Sequence, residues 1–295
     1  MTRRSERQLG YQFTAEEVGD EPNEEAADEA SGSFSADEDD RPLVVFLISG
    51  IRSSKTWAQN FTIYSKSIVA RKIIPIVIGG SKDLTTIDLL FRCGIEEFCA
   101  DYLEEISDAL IGVKNSDVSF ICHSMGSAIF PLIIDDIRAL LECQDSENRI
   151  NAVVFLGGIC KKRFSGSLRS SCNLFVNDVG LRDIPVVIGS ILNPHNYDPV
   201  GRFGFARGAH VVDRYFPDYS HADPTTEEHL SEWVLPIIEQ GIIRSKDDRV
   251  KLAGFTLFRY ARRLFYPIAL VLTVLSLCCN LARGSLHSSR WKKRV

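Results

Sequence analysis

The stretch "VSFICHSMGSAIF", residues 118–130, joins a run of apolar and β-branched residues to a run of small residues, with a single serine at the junction. Residues 118–123 predict a strand that is buried on both faces, and residues 126–142 have the spacing of a helix. Ser124 therefore stands at a tight turn between a strand and a helix. Such a turn needs small neighbours, and Gly126, Ser127 and Ala128 supply them.

Strand and helix patterns alternate along the chain on both sides of this stretch. Apolar runs typical of strands occupy residues 41–50, 73–80, 150–158 and 173–180, with a short strand near 209–214. Helical spacing is found at residues 55–70, 95–112, 184–192 and 225–239. Repeated alternation predicts an α/β fold, with a mostly parallel sheet and helices on both faces. Ligands of such sheets bind beyond the carboxyl ends of the strands.

Charge is distributed very unevenly along the 295 residues. The net charge of −5 combines −10 in residues 1–40, +10 in residues 241–295 and −5 in the 200 residues between them. The middle value is ordinary for a globular domain, so a nucleic-acid-binding surface is not expected there. Length and composition predict one folded domain with an appendage at each end.

The two ends differ in kind. Residues 1–41 contain few large apolar residues and predict an acidic disordered tail, with no secretory signal peptide. Residues 264–282 form nineteen uncharged residues, enough to cross a bilayer as a helix of about 30 Å. A buried or interfacial helix is the alternative. We therefore predict a domain at 42–243, a basic juxtamembrane segment at 244–263, a transmembrane helix at 264–282 and a basic tail at 283–295.

The eight cysteines lack the spacing of metal ligands and predict reduced thiols in a protein that faces the cytosol. Neither a metal nor a cofactor is expected. Basic clusters flank the apolar segment on both sides, so they do not set its orientation. The sequence predicts a single-pass membrane protein with a C-terminal anchor and its folded domain on the cytoplasmic side.

Residues 122–126, Cys-His-Ser-Met-Gly, approximate the Gly-x-Ser-x-Gly nucleophile elbow, with Cys122 at the first glycine position. The alternative is an ordinary turn at which Ser124 caps the helix. A serine nucleophile needs a base to remove its proton and an acid to fix the tautomer of that base, and the usual chain order after this elbow is serine, acid, histidine.

Two downstream residues fit this order. Asp183 in "NDVGLRDIP" comes just after a strand, and His221 in "DYSHADP" lies in a loop after the last strand. They are the predicted acid and base, although a solvated loop histidine is the alternative for His221. Asp178 is the alternative acid, but within the strand its side chain would point into the sheet or cap the loop. The other histidines lie in less suitable places: His123, His195, His210, His229 and His287.

Backbone N–H groups are the expected donors to the oxyanion, because fixed donors in a dry pocket stabilise developing negative charge. One is the amide of Met125, directly after the nucleophile. The other is the amide of Ile51, in the loop "SGIRSSKTW" that Gly50 allows to turn closely. Arg52 in that loop is a candidate for holding an anionic substrate group, or a surface arginine paired with nearby acids.

Five ordered blocks resemble a largely uncharacterised branch of the α/β-hydrolases: "FLISGIRSSKTW", "FICHSMGS", "NDVGLRDIPVVIGS", "GRFGFARGAHVVDRYF" and "YSHADP…WVLPIIEQG". The resemblance covers about residues 42–243. It implies Ser124 as nucleophile, Asp183 as acid and His221 as base. The chain departs from the family at Ser49, where the family has histidine in a His-Gly-Ile-Arg loop.

These observations lead to one main hypothesis and one alternative. The chain is expected to be a membrane-anchored serine hydrolase that cleaves an ester or related acyl bond in a small-molecule or lipid-like substrate. The alternative is a catalytically inactive hydrolase-fold protein that serves as a membrane scaffold or binding module. The altered Ser49 position favours the alternative, and the ordered serine, aspartate and histidine favour the enzyme.

Overall fold

The structure, a computed structural model, describes residues 41–50, 56–68, 72–79, 95–113, 115–143, 148–164, 168, 170–194, 197–205, 211–244, 267 and 271. Three predicted segments lie outside these residues: the acidic tail apart from Arg41, the juxtamembrane segment apart from Arg244, and the basic tail. The predicted transmembrane helix is described only at Pro267 and Val271. In the described part of the chain, no helix has the length and apolar character needed to cross a bilayer.

Six strands form one sheet in the order β2-β1-β3-β4-β5-β6. Each neighbouring pair is parallel, as expected of strands joined by crossover connections. The strands are β1 (Leu43–Ile48), β2 (Ile73–Ile78), β3 (Asp117–His123), β4 (Arg149–Leu156), β5 (Leu174–Gly180) and β6 (Val212–Phe216). The prediction of an α/β fold with a parallel sheet is confirmed.

Helices follow the strands along the chain. They are α1 (Thr56–Ile68), α2 (Ile95–Leu110), α3 (Gly126–Cys143), α4 (Ile184–Leu192), α5 (Val200–Phe203), α6 (Glu227–His229) and α7 (Leu235–Gln240). Alternate residues of β1 belong to two separate apolar cores: Val44, Phe46 and Ile48 pack with residues of α2 and α3. The intervening residues of β1 pack with residues of α1 and α7. The sheet is therefore covered on both faces, which explains its continuous apolar strands.

The last predicted helix, residues 225–239, is interrupted in the structure. Helix α6 ends at His229, a π-helical turn covers Leu230–Val234, and α7 then begins at Leu235. Pro236 explains the change, because proline has no N–H and its ring clashes with the carbonyl four residues earlier. A widened turn accommodates the proline without ending the helical path.

The last strand lies later than the predicted residues 209–214. Residues 209 and 210 are outside the described part of the chain, and β6 continues to Phe216 because Tyr215 and Phe216 pair with Val179 and Gly180 of β5. The sequence reasoning ended this strand early because its alternation of apolar and polar side chains is irregular. The added pairs carry the chain to the carboxyl edge of the sheet.

Strands β1 and β3 lie side by side, and the turn after β3 packs directly against the end of β1. A Cβ atom added at Gly126 would lie 2.5 Å from the carbonyl oxygen of Ile48. Real side chains do not tolerate such an approach to backbone atoms. Gly126 is therefore required where α3 begins, as the elbow pattern predicts.

We expect Gly126→Ala to destabilise the protein, because the new methyl group would have to displace the backbone of β1. Overpacking of this kind costs about 1–3 kcal/mol. Gly112→Ala is the matched control, since a Cβ atom at Gly112 meets nothing within 4 Å. Urea denaturation measures both; equal midpoints for the two variants would contradict this account of Gly126.

Candidate active site

Ser124 occupies a strained turn at the carboxyl end of β3. Its φ of 54° lies in the left-handed region that residues with a side chain rarely adopt, at a cost of about 1–2 kcal/mol. Hydrogen bonds hold the turn in place. The Ser124 amide donates to the Leu156 carbonyl at 3.0 Å, and the Ser127 hydroxyl donates to the Ser124 carbonyl at 2.6 Å. Because the Ile159 amide donates to that hydroxyl at 2.8 Å, the turn is also tied to the chain after β4.

The side chains of Ser124, His221 and Asp183 meet at this edge of the sheet. Nδ1 of His221 lies 2.9 Å from Oδ2 of Asp183, and Nε2 lies 2.9 Å from Oγ of Ser124. Since a carboxylate only accepts hydrogen bonds, Nδ1 carries the proton and Nε2 is left to accept the serine O–H. With that tautomer, the imidazole is placed to act as a base on the serine. The catalytic roles of the three residues stay predictions.

Asp183 is held from several sides. It caps the amino end of α4, where its Oδ1 accepts the Val186 amide at 3.3 Å, and its side chain is 1% exposed. Gly157, with a φ of 59°, lies against the Asp183–His221 hydrogen bond; an added Cβ would be 3.0 Å from Oδ2 of Asp183 and from Nδ1 of His221. The close approach of this backbone leaves the carboxylate and the imidazole little freedom to separate.

Part of the predicted oxyanion site is described. A Cβ atom added at Gly50 would lie 2.6 Å from Cβ of Ser124 and 3.1 Å from the amide nitrogen of Met125. The chain after β1 therefore begins in contact with the residues of the elbow. Ile51, the predicted second donor, and Arg52, the candidate for holding an anionic group, lie outside the described residues.

His123 is a buried neighbour of the site. Its Nε2 donates to the carbonyl oxygen of His221 at 3.2 Å, and the two rings lie 4.9 Å apart. Burial is the main cause that lowers the pKa of His123 to about 3, and a proton on His221, when present, acts in the same direction. The ring is therefore neutral at physiological pH. Among the described residues, no hydrogen-bond partner is found for two buried atoms, Nδ1 of His123 and Oγ of Ser49.

Asp178, the alternative acid, points away from His221. Its carboxylate accepts hydrogen bonds from Arg214 at 2.6 and 2.7 Å and from Nε2 of His229 at 2.8 Å. Burial by itself would raise the pKa of Asp178, but Arg214 and His229 hold it below its ordinary value. Asp178 is thus already fully engaged. Of the other histidines, His195, His210 and His287 lie outside the described residues.

Sequence reasoning missed two polar residues near the site. Arg202 on α5 has a buried Nη1 without a hydrogen-bond partner in the described part of the chain. Burial lowers the pKa of Arg202, and the nearby charge of Asp183 acts in the opposite direction. Arg214 is fully buried beside Asp178. The sequence contained a signal for Arg214 but none for Arg202. An arginine within the strand "VDRYF" has to meet a carboxylate if other elements cover that strand.

Asp213 lies beside Arg214 on β6 and binds the chain just after α5. Its carboxylate accepts hydrogen bonds from Nδ2 of Asn177 at 2.7 Å and from the amide of Phe205 at 2.8 Å. Burial raises the pKa of Asp213 to about 6, although these two donors and the charge of Lys162 oppose the shift. Asp213 therefore gains a proton in mildly acidic solution while the protein is still folded.

Comparisons with known proteins identify no family for this chain. The chain matches no protein-family model, and no curated protein is similar to it in sequence. A candidate hydrolase of Agrobacterium vitis S4 is 13% identical, with 65% of this chain and 84% of that chain covered and a TM-score of 0.38. Est2, a thermophilic esterase of Thermogutta terrifontis, is 12% identical, with 72% and 86% covered and a TM-score of 0.33. Likenesses with such TM-scores establish no shared function.

Fold and site together define the class of the protein at a coarse level. It is an α/β protein with a parallel six-stranded sheet. A serine, a histidine and an aspartate form a hydrogen-bonded series at the carboxyl edge of this sheet. The predicted membership of an α/β-hydrolase branch stays a prediction.

Two buried groups near the site, His123 and Asp213, should make the stability of the protein change with pH in opposite directions. Between pH 7 and 5 the unfolded chain binds a proton at His123, whose ordinary pKa is 6.5, while the folded protein, with a pKa of about 3, does not. Stability is lost as the pH falls. At Asp213 the folded protein binds the proton, because its pKa of about 6 exceeds the ordinary value of 3.8. Here stability is gained as the pH falls.

We therefore expect the two corresponding variants to diverge from the wild type in opposite directions. From pH 7 to 5, the free energy of unfolding of His123→Gln should rise relative to the wild type by about 2 kcal/mol, and that of Asp213→Asn should fall by about 1 kcal/mol. Urea denaturation at the two pH values measures this. Differences from the wild type that do not change with pH would show that the two groups do not titrate as described.

Proposed function

We propose that this chain is a serine hydrolase that cleaves an ester or a related acyl bond. The observation that carries the proposal is the series of two 2.9 Å hydrogen bonds from Ser124 through His221 to Asp183, which starts at a residue with a left-handed backbone. A surface serine that only caps a helix needs neither a strained backbone nor a histidine fixed by a buried carboxylate. The combination is typical of an activated nucleophile.

The first chemical step follows from the positions of the protons. Oγ of Ser124 attacks the acyl carbon while its proton passes to Nε2 of His221, and the carbonyl π bond opens to an oxyanion. Asp183, hydrogen-bonded to Nδ1, keeps the imidazole in the required tautomer and stabilises the imidazolium that forms. The amide of Met125 and the predicted amide of Ile51 are the donors to the oxyanion, and the loss of one such donor costs about 3 kcal/mol.

The remaining steps release the two products. The oxyanion collapses to an acyl-serine, the bond to the alcohol oxygen breaks, and His221 returns its proton to that oxygen. Water then attacks the acyl carbon with His221 as base. The acid leaves when the bond to Oγ of Ser124 breaks and the serine regains its proton, so neither a metal nor a cofactor enters the balance.

The proposal includes the α/β-hydrolase fold and an anchor in the membrane. The parallel sheet and the chain order of serine, aspartate and histidine support the fold. The nineteen uncharged residues 264–282 support the anchor, with the domain on the cytoplasmic side. An anchored active site works beside the bilayer, which favours lipid-like acyl substrates over freely soluble ones.

We expect the wild-type protein to hydrolyse p-nitrophenyl esters and to react with a fluorophosphonate probe. Ser124→Ala and His221→Ala should each reduce the rate by at least about 10³-fold, since they remove the nucleophile or its base. Ser190→Ala is the matched control, because Ser190 is a buried serine on α4 whose hydroxyl donates to the backbone carbonyl of Val187 at 2.8 Å. A series of esters of increasing chain length tests the preference for lipid-like substrates.

The inactive scaffold remains the second candidate, and the observation in its favour is Ser49. Its buried hydroxyl has no hydrogen-bond partner among the residues that the structure describes, at a position where the resembling family has histidine. A scaffold requires that the wild type neither reacts with the probe nor exceeds Ser124→Ala in ester hydrolysis. That result, obtained with folded protein, would overturn the hydrolase proposal.

The membrane anchor is tested by extraction. The full chain should remain with membranes after alkaline carbonate treatment, because a spanning helix is held by the bilayer itself and not by surface charge. A chain that ends at Arg244 should stay in the supernatant. Release of the full chain by carbonate, with retention only at low salt, would show a peripheral protein bound through its basic segments.

A further inference from the structure

A cluster of fully buried polar side chains lies next to the candidate active site. Nε and Nη2 of Arg214 bind the two carboxylate oxygens of Asp178 at 2.6 and 2.7 Å, and Nε2 of His229 binds the same carboxylate at 2.8 Å. The side chains of Arg214, Asp178 and His229 are 1%, 0% and 0% exposed. Arg214 also donates through Nη1 to the carbonyl of Trp233 at 2.9 Å.

Stability alone is a poor explanation for such a cluster. Taking an ion pair out of water costs about as much as the attraction between its charges returns, and well-packed apolar side chains often serve equally well. What the ion pair adds is direction, because a two-pronged contact between guanidinium and carboxylate fixes both groups in orientation. The question is therefore which part of the protein needs to be oriented here.

The cluster connects the two chain segments that carry the predicted acid and base. Asp178 lies on β5, five residues before Asp183, and β5 ends shortly before Asp183. On the other side, Nδ1 of His229 lies 3.4 Å from the hydroxyl of Tyr219, two residues before His221. His229 thus bridges Asp178 and Tyr219. Nε2 of His229 donates to the carboxylate, and Nδ1 of the same ring faces the Tyr219 hydroxyl.

Aromatic packing and backbone contacts strengthen this connection. The ring of Phe216 stacks on Tyr219 at 4.6 Å, and His229 meets both rings edge-on at 4.9 and 5.2 Å. Arg182 is the residue before Asp183, and its amide donates to the carbonyl of Tyr219 at 2.9 Å. A displacement of Tyr219 would therefore move His221 relative to Asp183.

We propose that Asp178, Arg214 and His229, together with Tyr219, are positioning residues that hold His221 at hydrogen-bonding distance from both Asp183 and Ser124. None of the four touches the reacting atoms. The inference rests on the proposed serine-hydrolase function, and it assigns this buried cluster to the geometry of catalysis.

The decisive variant replaces all three buried polar residues by apolar ones of similar volume, Asp178→Leu/Arg214→Met/His229→Leu. No charge is then left unpaired, so the protein is expected to fold with a melting temperature close to that of the wild type. Because misplacement of about 1 Å can reduce a rate about 10²-fold, kcat should fall between about 10- and 100-fold with KM within about twofold. Wild-type kcat in the folded triple variant would overturn the proposal.

A milder variant serves if the triple variant does not fold. His229→Gln keeps an N–H donor for Asp178 but removes the ring beneath Tyr219, and it should reduce kcat about 3- to 10-fold. The matched control is Asp117→Asn, which breaks a carboxylate–arginine contact to Arg149 at 3.2 Å where β3 and β4 begin. This control should lower the melting temperature without changing kcat, whereas equal effects on kcat at both positions would reduce the cluster to a stabilising role.

A spectroscopic signal separates this proposal from the function on which it rests. The proton on Nδ1 of His221, shared with Asp183, should give a low-field resonance in the wild type and in Asp117→Asn. In the cluster variants this resonance should shift or disappear. An unchanged resonance would refute the positioning role even in an inactive protein, and absence of all hydrolysis and probe labelling in the wild type would refute the hydrolase proposal alone.

Discussion

The close approach of three backbone segments at one edge of the sheet is the constraint on which the site depends. Three segments meet there: the end of β1, the turn after β3 and the first residue of α3. The space between them is too small for a Cβ atom, so glycines, Gly50 and Gly126, occupy the points of contact. Within this confined space Ser124 adopts its left-handed backbone. In this conformation its hydroxyl points from the edge of the sheet towards His221. The two apolar cores, one on each face of the sheet, keep the turn from relaxing.

Around this turn the protein buries several polar groups, and each avoids the cost of desolvation in a different way. His123 stays neutral because its pKa is about 3, and it contributes a hydrogen bond to the backbone of His221. Asp178 stays charged because Arg214 and His229 surround it. Asp213 is intermediate, with a pKa of about 6. The edge of the sheet is therefore polar and tightly hydrogen-bonded, and these bonds hold the imidazole of His221 in a fixed orientation.

Local patterns were sufficient for the order and type of most elements. The runs of β-branched residues gave β1 to β5 within a residue or two, because strands covered on both faces have to be continuously apolar. Residues 227–240 are helical, close to the predicted 225–239, except that a π-helical turn at Leu230–Val234 replaces the regular α-helix ahead of Pro236. The last strand extends beyond its predicted end to Phe216, because that boundary is set by pairing with β5. Strand pairing joins residues that are distant in the chain, and local patterns do not contain it.

The sequence by itself determined the parallel α/β architecture, the small residues around Ser124 and the chain order of serine, aspartate and histidine, since each is written in local spacing and residue type. Only the tertiary structure shows which of the two aspartates contacts His221. Asp178 and Asp183 lie five residues apart on one segment, and what separates them is which partner each one meets: Arg214 from β6 or His221 from the following loop. Contacts between residues distant in the chain follow from strand pairing and packing, which local spacing does not encode.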